Sequence, residues 1–411
     1  MGWPPVVAVE IGTSKVVALV GELREDAHIM ITGLGEHPSA GVRKGEVIDF
    51  DNALVCVRAA LAAAEETSRV TIRQVHLALS GGHIQTLVNR GTFPVLDPAA
   101  GVTDEDVKQV TGVARTVNLP TERVVLHSIG QIFYVDGERV GRPEGLEGAR
   151  LALDMLVLHA KSNQVHNTIR VLQEIPMDVA DVAFSGLCSA LAVLTPEQKE
   201  IGVLVIDLGG GMTDYVAYAA NTFAAAGAIG LGGDHVTNDI VLAFNMPRGQ
   251  AERLKRESGS ALVEDKPHSR RVALPAEVGY HAGRSIPLAA LQTVVHLRLA
   301  EMLGIIRRRS EEEGILHQLG AGVILTGGGA NLKGVRELAE RVFRLPCAIG
   351  KPQGISGLAA ALEGPQYAAA AGLIRYAFKN ALTQEPPSGM RKWFRRVLGR
   401  PSPGHRAGGA S

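Results

Sequence analysis

Two carboxylates, Asp207 and Asp214, bracket three consecutive glycines in the stretch Val203-Leu204-Val205-Ile206-Asp207-Leu208-Gly209-Gly210-Gly211-Met212-Thr213-Asp214-Tyr215-Val216. Bare backbone at Gly209, Gly210 and Gly211 lets N–H groups approach an oxyanion closely, and a carboxylate at a strand end can hold Mg²⁺ through water. Phosphate is the ligand this chemistry suits; an ordinary glycine-rich hairpin is the plainer alternative. The same grammar recurs at Val6 to Gly21, where Glu10 stands in the acidic position and Gly12, Thr13, Ser14 and Lys15 form the turn. A third turn, Gly327-Gly328-Gly329, follows the apolar run Val323 to Thr326 and precedes a helix expected near Asn331. A helix N-terminus carries free N–H groups and suits a phosphate or a ribose hydroxyl. No G-x-x-x-x-G-K-[ST] occurs, and the glycines at 227–233 lack dinucleotide spacing.

The elements that must position these turns follow from periodicity. Each acidic turn sits between two β-branched runs, so each is a strand–turn–strand unit. A repeat half a chain apart implies duplicated α/β halves facing each other across a cleft, although two similar buried hairpins would look alike. Asp49 or Asp51 can cap a helix through Leu54, Val57, Leu61 and Ala64, and Val75 to Ser80 is a buried strand. Residues 84–160 read strand, helix, strand, strand and form an inserted subdomain. Asn163 to Ile175 is a helix and Met177 to Phe184 a strand. Asp234 can cap a helix ending near Pro247, followed by the basic helix Gln250 to Ser258, closed by Gly259 in a C′-like place. Leu288 to Leu319 reads as one long helix. The expected division is 1–83 with 161–198 as one half, 199–235 with 288–382 as the other, and 236–287 as a peripheral subdomain.

Lys and Arg together balance Asp and Glu at 42 each, so net charge makes no case for nucleic acid. Cys56, Cys188 and Cys347 are in no metal or redox spacing, which fits a reducing compartment. No run of about 18 apolar residues suggests a membrane span, and no signal sequence is evident. The basic charge gathers at the C-terminus instead. After a linker at 383–389 containing Pro386-Pro387, Met390, Trp393, Phe394, Val397 and Leu398 fall on one helical stripe. Arg391, Lys392, Arg395 and Arg396 take the other side, the signature of a helix lying in an anionic membrane interface. A helix docked on the protein's own body is the bland alternative. Residues 401–411 read as a disordered tail.

Together these turns resemble the actin/chaperone/sugar-kinase ATPase superfamily, and the order of the motifs is more telling than any one of them. The resemblance implies an actin-like fold that binds ATP with Mg²⁺. In it, Gly12 to Lys15 and Gly209 to Gly211 with Thr213 hold phosphates, Gly327 to Gly329 hold the adenosine, and Glu252, Lys255 and Arg256 flank the base. Glu10 and Asp207 would hold the ion through water, Asp207 also positioning the attacking water. Within the superfamily the chain resembles the FtsA family of bacterial cell-division actin homologues, on Lys44 to Asp49, Leu77 to Gly81 and Ile229 to Ile240. That implies FtsZ, other division proteins and further copies of itself as partners, and a place on the cytoplasmic face of the membrane at the division site. Two departures bear on chemistry. Glu10 replaces the usual Asp, and Ser185 stands where chaperones carry a water-orienting glutamate, so slow or conditional hydrolysis is expected. A pilus-assembly adaptor and a small-molecule kinase are the alternatives. His159 and His166 read as structural.

Overall fold

The computed structural model describes residues 3–24, 28–263, 270–274, 285–358 and 363–383. Met390 to Leu398, with most of the expected linker and the tail, lie outside the described residues.

Two sheets share one plan. In the first, β1 (Val6–Ile11) pairs antiparallel with β2 (Lys15–Leu23), which pairs antiparallel with β3 (Ile29–Pro38). On its other edge β1 runs parallel to β6 (Gln74–Leu79), followed by β11 (Asp178–Phe184). The second sheet repeats this as β14 (Thr222–Ile229), β13 (Thr213–Ala219), β12 (Val203–Leu208), β17 (Val323–Thr326) and β18 (Cys347–Ile349), with the same directions. The duplication inferred from two hairpins is therefore a duplication of whole sheets. Helices cover these sheets, so the central strands are apolar on both faces: Ala8, Val9, Val16 through Val20 and Val203 through Ile206 are all buried.

Helix α1 (Phe50–Ser68) is capped by Asp49, whose carboxylate accepts from Asn52 N–H at 3.1 Å. It buries Ala53, Cys56, Val57, Ala60, Leu61 and Ala64, and these small residues let it lie close on β3. The two-residue strands β4 (Val42–Arg43) and β5 (Glu46–Val47) form a ribbon leading into it. The insert is a third sheet, ordered β7 (Gln85–Pro94), β10 (Arg150–Lys161), β8 (Arg123–Val135) and β9 (Glu138–Val140), with α2 (Asp104–Arg115) packed on it. Strand β10 fastens it to the body. Leu151, Leu153, Met155 and Val157 face the insert's own core, whereas Leu156, Leu158 and Ala160 belong to the main core.

Helices α3 (Ser162–Gln173) and α4 (Ser185–Val193) flank β11, and α5 (Pro196–Ile201) follows a Thr195 capping box that the sequence reading passed over. After β14 come α6 (Gly233–Phe244) and α7 (Arg248–Ser258). Asp234 is not the cap of α6. Gly232 holds that position, His235 Nδ1 accepts its N–H at 3.1 Å, and Asp234 pairs with Arg248 at 2.9 Å. Gly259 is extended rather than left-handed. Its role is steric, since a Cβ there would lie 2.3 Å from Lys255 O.

A ribbon of β15 (Arg271–Ala273) and β16 (Ser285–Pro287) leads to α8 (Leu288–Glu312), which ends at Glu312 instead of running to Leu319. Contrary to the sequence reading, α8 is long and apolar enough to meet a membrane-span criterion. It is a core helix nonetheless: Leu291, Val295, Leu299, Met302, Leu303 and Ile306 fill the second half's interior. The helix expected near Asn331 begins later, as α9 (Val335–Phe343), because residues 328–331 make a 3₁₀ turn first.

The last segment returns to the first half. Strand β19 (Ile355–Gly357) adds parallel to β3, and α10 (Ala368–Thr383) packs against α4, β1 and β2. Leu373, Ile374 and Phe378 lie in the main core with β1 and β2, whereas the sequence reading assigned residues up to 382 to the second half. Thr383, assigned to the linker, is the last residue of α10.

Candidate nucleotide cleft

The two hairpin turns are closed by the same bond. Gly12 N–H donates to Lys15 O at 3.0 Å, and Gly209 N–H to Met212 O at 3.0 Å. They meet face to face: a Cβ added at Gly211 would lie 2.5 Å from Thr13 Oγ1, and one at Gly210 would lie 3.0 Å from Ser14 Cβ. Glycine is thus required there for contact between the halves, at φ values any residue could adopt. Behind them Gly327 has φ +80°, and a Cβ on it would sit 2.1 Å from Asp207 Oδ1.

These turns line one cleft of 910 Å³, at the upper end of the range for small-molecule sites. Its lining includes Glu10, Gly12, Thr13, Ser14, Lys15, Asp207, Gly209, Gly210, Gly211, Glu252, Lys255, Arg256, Gly327, Gly328 and Gly329. One expected site residue is elsewhere. Thr213 is buried and its hydroxyl donates to Leu231 O at 2.9 Å, tying the hairpin to the chain that enters α6. Its side chain serves the turn rather than a ligand.

The floor is acidic. Burial pushes Glu10 up to about 7, the neighbouring Asp207 adding to this and Lys15 opposing it. Burial raises Asp207 to about 6 although the Ser189 hydroxyl donates to it. Asp214 is held well above the usual carboxylate range by burial and by Asp207, against a 2.8 Å bond from Ser80 Oγ. Glu10 Oε2 is buried without a hydrogen-bond partner. Among the described residues no group of three or more His, Cys, Asp or Glu is poised to hold a metal. An ion here would take one or two carboxylates and complete its shell with water and phosphate oxygens, as Mg²⁺ does; the orphaned oxygen of Glu10 fits that arrangement.

Two of the expected ligand-binding cations are already engaged. Lys255 Nζ donates to Gly233 O at 3.1 Å, Thr237 Oγ1 at 2.9 Å and Glu252 Oε2 at 2.6 Å. Lys15 Nζ donates to Glu36 at 2.8 Å and lies 3.9 Å from the Tyr367 ring centroid. Glu36, Tyr367, Ser80, Asn331 and Gln366 are not site residues in the sequence reading, yet all five line the cleft. Only Gly364-Pro365 gave a local signal. Pro365 O accepts from Gly327 N–H and from Thr326 Oγ1, both at 3.1 Å, so that loop props up the third glycine turn. Ser185 also lines the cleft, as the first residue of α4. His159 accepts from Arg123 Nε at 2.5 Å at the root of the insert, away from the cleft.

Duplicated sheets with facing hairpin turns over a shared cleft define an actin-like protein. Solved structures agree at the level of fold. The PilM–PilN type IV pilus biogenesis complex aligns with a TM-score of 0.63 at 18% identity, covering 90% of this chain and 98% of that one. MreB5 of Spiroplasma citri bound to ADP aligns at 0.54 and 14% identity, covering 93% and 99%. Residues 204–372 match the family described as cell division protein FtsA, and residues 81–159 match the SHS2 domain inserted in FTSA, which is the insert found above. The cell division protein FtsA of Escherichia coli (strain K12) is 35% identical over 388 residues, covering 92% of each chain. The chain belongs to the FtsA family of cell-division proteins.

Proposed function

We propose that this protein binds ATP with Mg²⁺, associates with itself, anchors FtsZ filaments to the inner face of the cytoplasmic membrane and helps recruit other division proteins. The observation that carries the nucleotide reading is the meeting of two identically closed glycine turns above Glu10 and Asp207. Gly12 to Ser14 and Gly209 to Gly211 would take the phosphates and Gly327 to Gly329 the adenosine side. Glu10 and Asp207 would hold Mg²⁺, which supplies charge neutralisation at the phosphates. A divalent ion also offsets the cost of burying both carboxylates, which is what chiefly raises them.

Hydrolysis is slow or conditional in this reading. Ser185 has no basic function at neutral pH, so ATP acts mainly as a conformational and assembly signal. Membrane residence rests on the sequence of the C-terminal stripe. Each of its four cations contributes on the order of 1 kcal/mol at an anionic leaflet, and burial of the apolar face adds to this. One tail binds reversibly, and a row of subunits binds far more tightly through effective concentration. For FtsZ, the peripheral subdomain offers a surface where α6 meets α8, in a groove lined by Asp239, Leu242, Leu297 and Arg298, with Leu242 and Leu297 exposed.

The test is co-sedimentation with FtsZ and with anionic vesicles, using the full chain and a version ending at Leu382. Truncation is expected to abolish vesicle binding and leave FtsZ binding intact; unchanged vesicle binding removes the tethering role. Co-sedimentation with a pilus-assembly protein in place of FtsZ would favour a pilus adaptor.

A further inference from the structure

Lys15 is the one cation carried by the two glycine turns, yet its charge is spent within the protein. Its side chain is 22% exposed, and its ammonium donates to Glu36 at 2.8 Å and lies over the Tyr367 ring at 3.9 Å. Tyr367 in turn donates its hydroxyl to the same Glu36 oxygen at 2.8 Å. Burial works against the Glu36 charge, but these two bonds hold its carboxyl below the usual value. All three side chains line the cleft. The lining is otherwise rich in carboxylates; of its other cations Lys255 is saturated and Arg256 stands on the α7 helix expected to flank the base, so Lys15 is the cation the glycine turns offer an incoming polyphosphate.

We propose that Glu36 and Tyr367 are positioning residues of the nucleotide site: they hold Lys15 at the rim, and Glu36 competes with nucleotide phosphate for its ammonium. The inference rests on the nucleotide reading above. Because the lysine-engaged state must be left before phosphate gains the charge, apparent affinity is the intrinsic affinity multiplied by the fraction of molecules in which Lys15 is disengaged. Glu36 is partly solvated, so the pair is of the weak, screened kind and the effect is modest. Nucleotide arrival also reaches further. Tyr367 immediately precedes α10, so displacement of Lys15 removes a contact at the start of that helix. Occupancy of the cleft is thereby communicated to the C-terminal helix.

The test measures binding of MgATP and, separately, of adenosine by calorimetry on the full chain. Glu36→Gln is expected to tighten MgATP roughly two- to fivefold and leave adenosine unchanged, because adenosine has no phosphate to compete. Tyr367→Phe, which keeps the ring and loses the hydroxyl, is expected to give a smaller change in the same direction. In a Lys15→Ala background Glu36→Gln is expected to do nothing, since the competition has no object. Hydrogen exchange at the start of α10 is expected to rise on adding MgATP in the parent and not in Glu36→Gln. The proposal is overturned if Glu36→Gln shifts adenosine and MgATP alike, leaves MgATP unchanged, or keeps its effect without Lys15. A parent that binds neither MgATP nor adenosine overturns the nucleotide reading itself and this proposal with it.

Discussion

Asp207 and Asp214 occupy directly opposed positions of the β12–β13 hairpin, so their side chains leave the same face of the sheet. Like charges in that relation are destabilising, and each carboxylate is raised while a single serine hydroxyl supports it. Burying this pair therefore costs free energy, and at Asp214 repulsion from Asp207 adds to the cost.

The burial of Asp207 has a pH signature. Asp207 titrates near 6 when folded and near 4 when unfolded, so the folded state binds an extra proton between these values. Its contribution is fully present below about pH 4 and is lost as pH rises through 6. His83 and His127, lowered to about 4 by burial, act with the opposite sign across that window. Comparison with Asp207→Asn cancels them. The asparagine variant is expected to gain roughly 4 °C in Tm over the parent between pH 4 and pH 7.5, on about 3 kcal/mol of linkage. A difference that stays flat across that range would falsify the assignment.

Contact between the halves through bare backbone makes a second expectation. Gly211→Ala places a methyl against Thr13 Oγ1 and 3.0 Å from Lys44 N, forcing the turns apart. MgATP affinity should fall, by up to roughly 10²-fold for an ångström-scale displacement, with circular dichroism unchanged. Titration with a fluorescent ATP analogue measures this, and wild-type affinity in the variant would show that the turns need not touch.

Ser185 lines the cleft without a basic function. Ser185→Ala is expected to leave ATP turnover at the parent rate, read by phosphate release. A marked fall would mean that the hydroxyl takes part in positioning the attacking water.

Gly372 faces Cys188 O across the α4–α10 contact, and a Cβ there would lie 1.7 Å from that oxygen. Backbone cannot yield as a flexible side chain does. Gly372→Ala should cost about 1–3 kcal/mol or more, lowering Tm by several degrees in a thermal melt. An unchanged Tm would show that the two helices can separate at no cost.

Much of this architecture was legible because its signals are local. The alternation at Val6 to Gly21 and Val203 to Val216, the glycines between, and the strand–helix–strand–strand pattern of the insert all lie in short windows of sequence. What escaped depends on distant partners. Glu36 reads as one exposed-face residue of a strand, and only the fold brings Tyr367, 331 positions later, to its carboxylate. Three-residue strands such as β18 and β19 carry too little periodicity to be seen. Thr213 looks like a ligand because it abuts the glycines, but its hydroxyl is spent on Leu231 O, a partner 18 positions later. The α8 boundary was missed because the 3₁₀ turn at Leu316–Gln318 continues its apolar spacing.

The return of β19 and α10 to the first sheet bears on how the chain is made. A polypeptide leaves the ribosome from its N-terminus, and domains ordinarily fold in that order. Here β1, β2 and α4, complete by residue 193, lack their covering helix until residues 368–383 have been synthesised. The first half must wait, its apolar surface uncovered, while the insert and the second half emerge. An interrupted chain released before Ala368 would carry an unfinished core rather than a finished domain.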